Sequence, residues 1–588
     1  MRTPKLLCIS FTLAAASLTQ LAQANNYSPA VGETFPREVY FGDLHLHSRA
    51  SADAFTMGNE TLTPADAYRF ARGEAINSST GLTAQLRRPL DFLAVTDHAE
   101  FMGVLNAFQE KNPVLMASPL GKRWGALSKE GFFDAFVSSL SDPDPVRDDI
   151  PDALEYSIWN DITEAADTYY QPGKFTTFIA YEWTSASEGN NLHRCVIYRE
   201  DSATVSKHLP YSSFLSSDPE DLWASLQRYE ESSGGRVMSI PHNGNLSNGI
   251  MWDTQTLSGE PIDADYANTR MRWEPIAEVT QVKGDSETHP ILSPDDAFAD
   301  FERWDRYNIM NTSETTPEML PGSYARSALQ RGLQLQNTVG VNPYKFGMIG
   351  STDSHTSLST SNEDNFFGKF ANSEPGVRNS ETMMAGMKNA DWELGASGLS
   401  AVWARENTRE EIFAALARKE VFATTGTRIL LRFFGGWDFG KDALAQADYA
   451  QMAYEKGVPM GGDLPARKKK RAPEFLLYAL KDPDGVNLDR IQVVKGWVDA
   501  KNRRHEQVFE AAIASSENSA GAAQLSAQWR DPDFNPKQRA FYYARVIEVE
   551  KPRWTTHDEK VLGVNAPKAA PALTRDRAYS SPIWYDPS

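Results

Sequence analysis

From about residue 38 to 430, short apolar runs alternate with stretches of helical character. Val39-Tyr40-Phe41 comes first. Phe92-Leu93-Ala94-Val95 is unbroken, as expected of a strand covered on both faces. Phe175 to Tyr181, Val237 to Ile240, Ile276 to Val279 (with Glu278 as an inward acid) and Phe346 to Ile349 repeat the signal. Between strands, Thr63-Pro64-Ala65-Asp66 opens a helix, with Thr as N-cap, Pro at the first helical position and an acid in the first turn. Thr408-Arg409-Glu410-Glu411 is a T-x-x-E box whose helix runs to about Lys419. Such alternation predicts parallel βαβ units. Polar residues gather where the runs end, which fits a barrel whose active site lies on that face.

Residues 356 to 398 lack apolar periodicity and are rich in Ser, Asn and Gly. Irregular segments of this length are often active-site lids. After about residue 428 the texture becomes strand-like: Ile429 to Phe433, Phe475 to Ala479, Ile491 to Lys495 and Phe541 to Val546, separated by turns such as Asp482-Pro483-Asp484-Gly485. The expected organisation is a barrel over 38–430 and a β-rich, sandwich-like region over 431–588 that returns its end to the barrel. Arg467-Lys468-Lys469-Lys470-Arg471 reads as a solvated loop, with an anion-steering patch as the alternative.

Charge and termini narrow the class. A net charge of −19 argues against broad nucleic-acid binding. Arg2 and Lys5, the apolar run Leu6 to Leu18 and the A-x-A site Ala22-Gln23-Ala24 read as a signal peptide over residues 1–24. The run is shorter than the ~20 residues of a spanning helix, so the expectation is a periplasmic or secreted protein without a stable membrane span. The mature chain then keeps one cysteine, Cys195, read as a buried structural thiol.

Six of the ten histidines fall in motif positions. His45 and His47, and later Asp353 and His355, sit at i and i+2, which on a strand aims both side chains one way. Two imidazoles on one strand face are poor core residues, because each needs a polar partner; they are good ligands for zinc, iron or manganese. His98, Glu182, His193 and His242 lie in the same series. Glu182 reads either as a cap for a following helix or as a carboxylate bridging two metals, and the His-rich setting favours the bridge. His289 stays open, and His208, His505 and His557 read as surface residues.

These motifs resemble the polymerase and histidinol phosphatase (PHP) superfamily. The order H-x-H, T-D-H, lone Glu, lone His, His after a strand, then D-x-H appears here as His45/His47, Thr96-Asp97-His98, Glu182, His193, His242 and Asp353/His355. The resemblance implies a distorted (β/α)7 barrel, two or three divalent ions (Mn, Zn or Fe) and phosphoester hydrolysis. It also implies nine ligands: His45, His47, Asp53, His98, Glu182, His193, His242, Asp353 and His355. Tyr40 to His45, Gly322-Ser323-Tyr324-Ala325-Arg326, Ala423-Thr424-Thr425-Gly426 and Ser581-Pro582-Ile583-Trp584 look like an exported bacterial branch, generally left as a domain of unknown function.

Several metals in one pocket point to hydrolysis, with one ion lowering the pKa of a water toward ~7. The expected substrate is a small anionic phosphoester, held by Lys283, Arg194 and Arg326; Asp43 and Asp97 would orient histidines from behind. The alternatives are hydrolysis of another bond, such as a sulfate ester or amide, and metal-dependent binding without catalysis.

Overall fold

The computed structural model describes residues 35–587, apart from 129–130, 132–134, 136–137, 139–146, 379–387, 468–470 and 515–519. The expected signal peptide and the lysines of the 467–471 run lie outside the described residues. The first half alternates as the pattern predicts: β1 (Glu38–Asp43), α1 (Pro64–Ala71), β2 (Phe92–Val95), α2 (Asp152–Tyr169), β3 (Thr176–Trp183), β4 (Arg194–Tyr198), α3 (Pro219–Ser233), β5 (Val237–Pro241), α4 (Ala264–Trp273), β6 (Ile276–Gln281), α5 (Ala325–Val339) and β7 (Gly347–Gly350). Then come β8 (Leu399–Ala404), α6 (Arg409–Ala417) and β9 (Val421–Thr424). Thr63 caps α1 through a complete capping box with Asp66, and the Thr408 side chain accepts from Glu411 N at the start of α6.

β1, β2 and β3 pair in parallel, but β4 is antiparallel to both β3 and β5, and β8 is antiparallel to β1. Residues 184–193 are too few for a crossover, which needs about a dozen or more, so the chain turns straight back into β4. β6 and β7 pair in parallel in a separate sheet. The architecture is thus mixed α/β rather than a run of purely parallel βαβ units. One face of these strands feeds a single apolar cluster, with Phe92, Phe178, Ile197, Met238, Ile276, Ile349 and Val402 packed on Phe413 and Leu416 of α6. The other face packs on α1 to α5 through residues such as Tyr68, Trp159, Trp223, Trp273 and Leu329. β7 passes close to its neighbours: a Cβ on Gly350 would meet Thr424 O at 2.6 Å, and Ser400 Oγ donates to Gly350 O at 2.7 Å.

The later strands are β10 (Leu430–Gly436), β11 (Glu474–Leu480), β12 (Leu488–Val498), β13 (Arg504–Ile513), β14 (Gln524–Arg530), β15 (Ala540–Glu548), β16 (Arg577–Ser580) and β17 (Ile583–Tyr585). Two layers form, but one is not separate. β16 pairs with β9 on one side and β15 on the other, so β12, β13, β15 and β16 extend the sheet that holds β1 to β5. β10, β11 and β14 make the second layer. Phe433, Phe475, Val493, Tyr542 and Val546 fill the space between, together with Phe41, Trp403 and Phe422 from the first half. The 356–398 segment, described outside 379–387, is no surface flap: residues 356–361 are all buried, and Lys369 and Phe370 are 4% and 3% exposed. No helix among the described residues is long and apolar enough to cross a membrane.

Candidate metal centre

Past the strand ends, four segments continue side by side. Asp353 N donates to His45 O at 2.7 Å, His47 N to Ser354 O at 2.8 Å, Thr96 N to Leu46 O at 2.7 Å and Ala99 N to Glu182 O at 2.8 Å. This backbone pairing sets His45, His47, His98, Glu182, Asp353 and His355 on one floor. Asp353 adopts the left-handed region (φ 53°), uncommon for a residue with a Cβ but tolerated by Asp. Its carboxylate is gripped by Lys283 Nζ, by Lys369 Nζ at 3.0 Å and by Gln281 Nε2 at 2.6 Å.

Glu182 is 1% exposed, at the middle of the group. Its Oε1 lies 2.7 Å from His193 Nδ1 and 3.0 Å from His242 Nε2; its Oε2 lies 3.0 Å from His47 Nε2, 3.3 Å from His45 Nε2 and 3.3 Å from His98 Nδ1. It sits within β3, opposite Cys195, and no helix follows it, so the capping alternative fails. Asp53 joins the far side, with Oδ2 2.8 Å from His355 Nε2 and Oδ1 3.3 Å from His98 Nε2. All nine residues named for ligation therefore converge.

The rings are oriented from behind. His45 Nδ1 meets Glu278 Oε2 at 2.9 Å. Ser51 Oγ gives its one proton to Asp97 (2.9 Å), so at 2.8 Å from His47 Nδ1 it must accept. His47 Nε2 then turns a lone pair toward Glu182 Oε2, and this buried nitrogen has no hydrogen-bond partner among the described residues. With His47 neutral, this 3.0 Å approach of nitrogen to carboxylate oxygen takes a cation between them, a proton or a metal ion. Burial pushes His193 and His242 down to about 4, which leaves both neutral, the form that ligates metal. Burial also lowers His98, but Glu182 and Asp53 outweigh it and raise the ring to about 9. Burial would raise Glu182 and Asp353, yet the facing histidines of the first and lysines of the second hold both well below the usual carboxylate range. Donor types, spacing and the orphaned nitrogen all fit divalent metal. Four overlapping triads could each hold an ion: His45/Cys195/His242, His47/His98/His355, His45/His47/Asp353 and Glu182/His193/His242.

A cavity of about 700 Å³ opens above the floor, lined by Asp53, His98, Glu182, His193, Asp353 and His355, with Lys283 and Lys369 beside them and Phe214, Leu246, Trp304 and Ile309 in its walls. Lys283 reaches it as expected. Arg194 and Arg326 do not. Arg194 is buried against Glu274 at 2.9 Å and does not line the cavity, and Arg326 is enclosed by Glu287 (2.7 Å), Asp296 (2.8 Å) and Glu506 (3.1 Å), which leaves its guanidinium no donor for substrate. Asp97 braces His47 through Ser51. Asp43 instead ties backbone to backbone, accepting from His45 N and Thr352 N, both at 3.1 Å, and burial raises it to about 6. His289 lies apart, against Asp305 at 3.2 Å. Lys369, the second cavity lysine, carries no motif: it is one lysine within a Ser- and Asn-rich stretch. Burial draws it down to about 8.

No curated protein matches the chain. It is similar to a crystal structure from Bacteroides vulgatus, described as a two-domain protein containing predicted PHP-like metal-dependent phosphoesterase, at 11% identity and a TM-score of 0.29 over 86% of this chain and 90% of that one. The family model described as Protein of unknown function (DUF3604) matches residues 34–587, and the chain belongs to that family.

Proposed function

We propose that this protein is a metal-dependent hydrolase of phosphoesters. The observation that carries the reading is Glu182, whose two oxygens each face a different set of imidazoles on the floor of a cavity. Such a carboxylate suits two neighbouring ions. Residues His45, His47, Asp53, His98, Glu182, His193, His242, Asp353 and His355 would hold two or three of them. Bound divalent ions supply Lewis acidity and lower the pKa of water.

The chain's own groups do the rest. Glu278 and Ser51 fix the ring orientations of His45 and His47. Lys283 presents its ammonium group to the cavity, where it would hold an anionic ester, while Lys369, whose three donors go to Asp353 O, Asp353 Oδ1 and His355 Nδ1, adds positive charge beside it. Two divalent ions with those lysines would bring six positive charges against the four carboxylates of the floor, Asp53, Glu182, Glu278 and Asp353, with Glu100 and Glu188 as further acids in the cavity wall. The floor is then cationic, which favours a phosphate ester over a neutral amide. The motif order supports a PHP-type (β/α)7 barrel for residues 38–430, with residues 431–588 as its β-rich companion. We place the work outside the cytoplasm, because Arg2, Lys5 and Ala22-Gln23-Ala24 read as an export signal.

Metal analysis beside a turnover screen tests this. We expect at least two equivalents of first-row divalent metal, because one ion takes about four to six ligands, and hydrolysis of phosphomonoesters or phosphodiesters with Mn, Zn or Fe added. Less than one equivalent after supplementation would sink the reading. Exclusive cleavage of sulfate esters or amides would reassign the substrate.

A further inference from the structure

The cavity is larger than a phosphate needs. Five heavy atoms, at about 30 Å³ each (the share of a water molecule in the liquid), take about 150 Å³, against about 700 Å³ of cavity. The rest of the space runs along apolar side chains. Phe214 and Ile309 line it half-buried, and Met310, in the same lining, is 52% exposed. The apolar surface begins at the floor, where the Phe370 ring lies 4.9 Å from the His355 ring. On the His98 side, Ser213 Oγ donates to Thr184 O at 3.0 Å, Thr184 Oγ1 lies 2.6 Å from His98 Nδ1, and Phe214 comes next in the chain. On the Lys283 side, Asn245 Nδ2 donates to Lys283 O at 3.0 Å and to Trp304 O at 2.6 Å, and Ile309 N donates to Leu246 O at 3.2 Å. Leu246, Val282, Trp304 and Ile309 pack in one apolar cluster, so this wall is built onto the segment that carries Lys283.

Polar side chains in the same lining are already engaged. Asn308 Oδ1 accepts from Thr312 N at 2.8 Å, and its Nδ2 donates to Asn190 Oδ1 at 3.0 Å and Thr312 Oγ1 at 2.9 Å. Ser185 Oγ donates to Ser217 O at 2.7 Å, and Glu100 Oε1 accepts from Ser213 N at 2.6 Å. Met310 is set by its backbone, which donates to Gly189 O at 3.2 Å. That contact needs glycine: the φ of Gly189 is 82°, and a Cβ there would strike Thr312 Oγ1. Glu188, beside it, is exposed. A hydroxyl-rich alcohol against these walls would lose its hydration without gaining partners, at about tenfold or more in affinity per hydroxyl. An apolar alcohol would gain about fourfold for each methylene it buries.

We propose that the substrate is a phosphoester whose alcohol is a large apolar group, aryl or alkyl, laid against Phe214, Ile309 and Met310. The proposal rests on the phosphoesterase reading and adds the nature of the alcohol. Three non-hydrolysable probes test it on the full, metal-supplemented chain: hexylphosphonate, phenylphosphonate and 5-hydroxypentylphosphonate, which matches the hexyl chain in length. Binding is followed by calorimetry, with metal content and a melting curve from the same samples. We expect hexylphosphonate or phenylphosphonate to bind at least about tenfold tighter than the hydroxyl probe; the tighter of the two tells chain from ring. Phe214→Tyr with Ile309→Thr nearly keeps the shape of the wall and gives it two hydroxyls, and should lower that preference at least about threefold. Met310→Ser, at a position too exposed to disturb the core, should lower it about twofold and serves if the double variant does not fold. Equal affinities in the native protein, no binding of any probe to a metal-bearing chain, or a preference that survives these changes in folded protein would each overturn the proposal. A chain that takes up no metal overturns the phosphoesterase reading itself, and the metal measurement tells the two failures apart.

Discussion

Glu182→Gln is the sharpest test of the centre. The substitution keeps the side chain's length and one carbonyl oxygen and removes the charge. In the native protein, Oε1 has two imidazole nitrogens within 3.0 Å and Oε2 has three within 3.3 Å. Ions held on the two sides would share this carboxylate, so the change would reach both. Altering an outer partner of a metal ligand costs about 10–100-fold in affinity. Neutralising a shared ligand should cost each ion at least about 100-fold, or about 2.7 kcal/mol. The repulsion between the ions is also less screened. We expect metal content after dialysis to fall by more than one equivalent, with turnover falling alongside it. A melting curve in excess chelator controls for fold. Unchanged stoichiometry in a folded variant would refute the bridging role, and loss confined to one equivalent would make Glu182 a ligand to a single ion.

Arg326→Met should damage stability and spare turnover. It strands Glu287 and Asp296 with Arg545 alone, and breaking such a buried network costs about 3–5 kcal/mol; a lower urea midpoint with near-native activity per folded molecule is expected, and a stable but inactive variant would return Arg326 to the active site. Asp285, which is 3% exposed, is pushed up to about 7 by burial and by Glu287 beside it. Its folded pKa lies above the unfolded one, so its stability contribution is full below about pH 4 and is lost as pH rises toward 7. Asp285→Asn should therefore gain stability over the native chain across that window, to a ceiling of about 4 kcal/mol; a flat difference in unfolding midpoint with pH would refute this.

The strands buried on both faces were legible because their composition is one-sided: Phe92 to Val95 reads as observed. Direction was not. Periodicity is the same for a strand run up or down, so the reversal at β4 shows only in the ten residues between Trp183 and Arg194. β8 was missed because Leu399–Ala404 directly follows a long irregular segment, and β13 because its residues are mostly half-exposed. In the site, paired motifs announced themselves: His45/His47 and Asp353/His355 share a strand-like spacing that packing does not explain. Single residues did not. Glu278 was visible as an inward acid but not as the partner of His45, some 230 positions away. Lys369 and Glu100 have no local signature, because each owes its place to contacts made only after folding. Arg194 and Arg326 had the right charge for substrate, but their buried acid partners lie far off in the chain and were not visible.

β16 joins the two halves of the main sheet, and this has a consequence for how the chain is made. Phe422 pairs with Ser580, and Tyr579 pairs with Arg545. During synthesis β9 therefore has no neighbour on that side until residues 577–580 appear. At about 5–20 residues per second, the stretch from Phe422 to Ser580 takes roughly 8 to 30 s. Through that interval a completed first half presents an unpaired strand edge, the kind of surface that templates aggregation. Folding governed by so distant a pairing is slow, and that edge stays without this partner until the strand arrives.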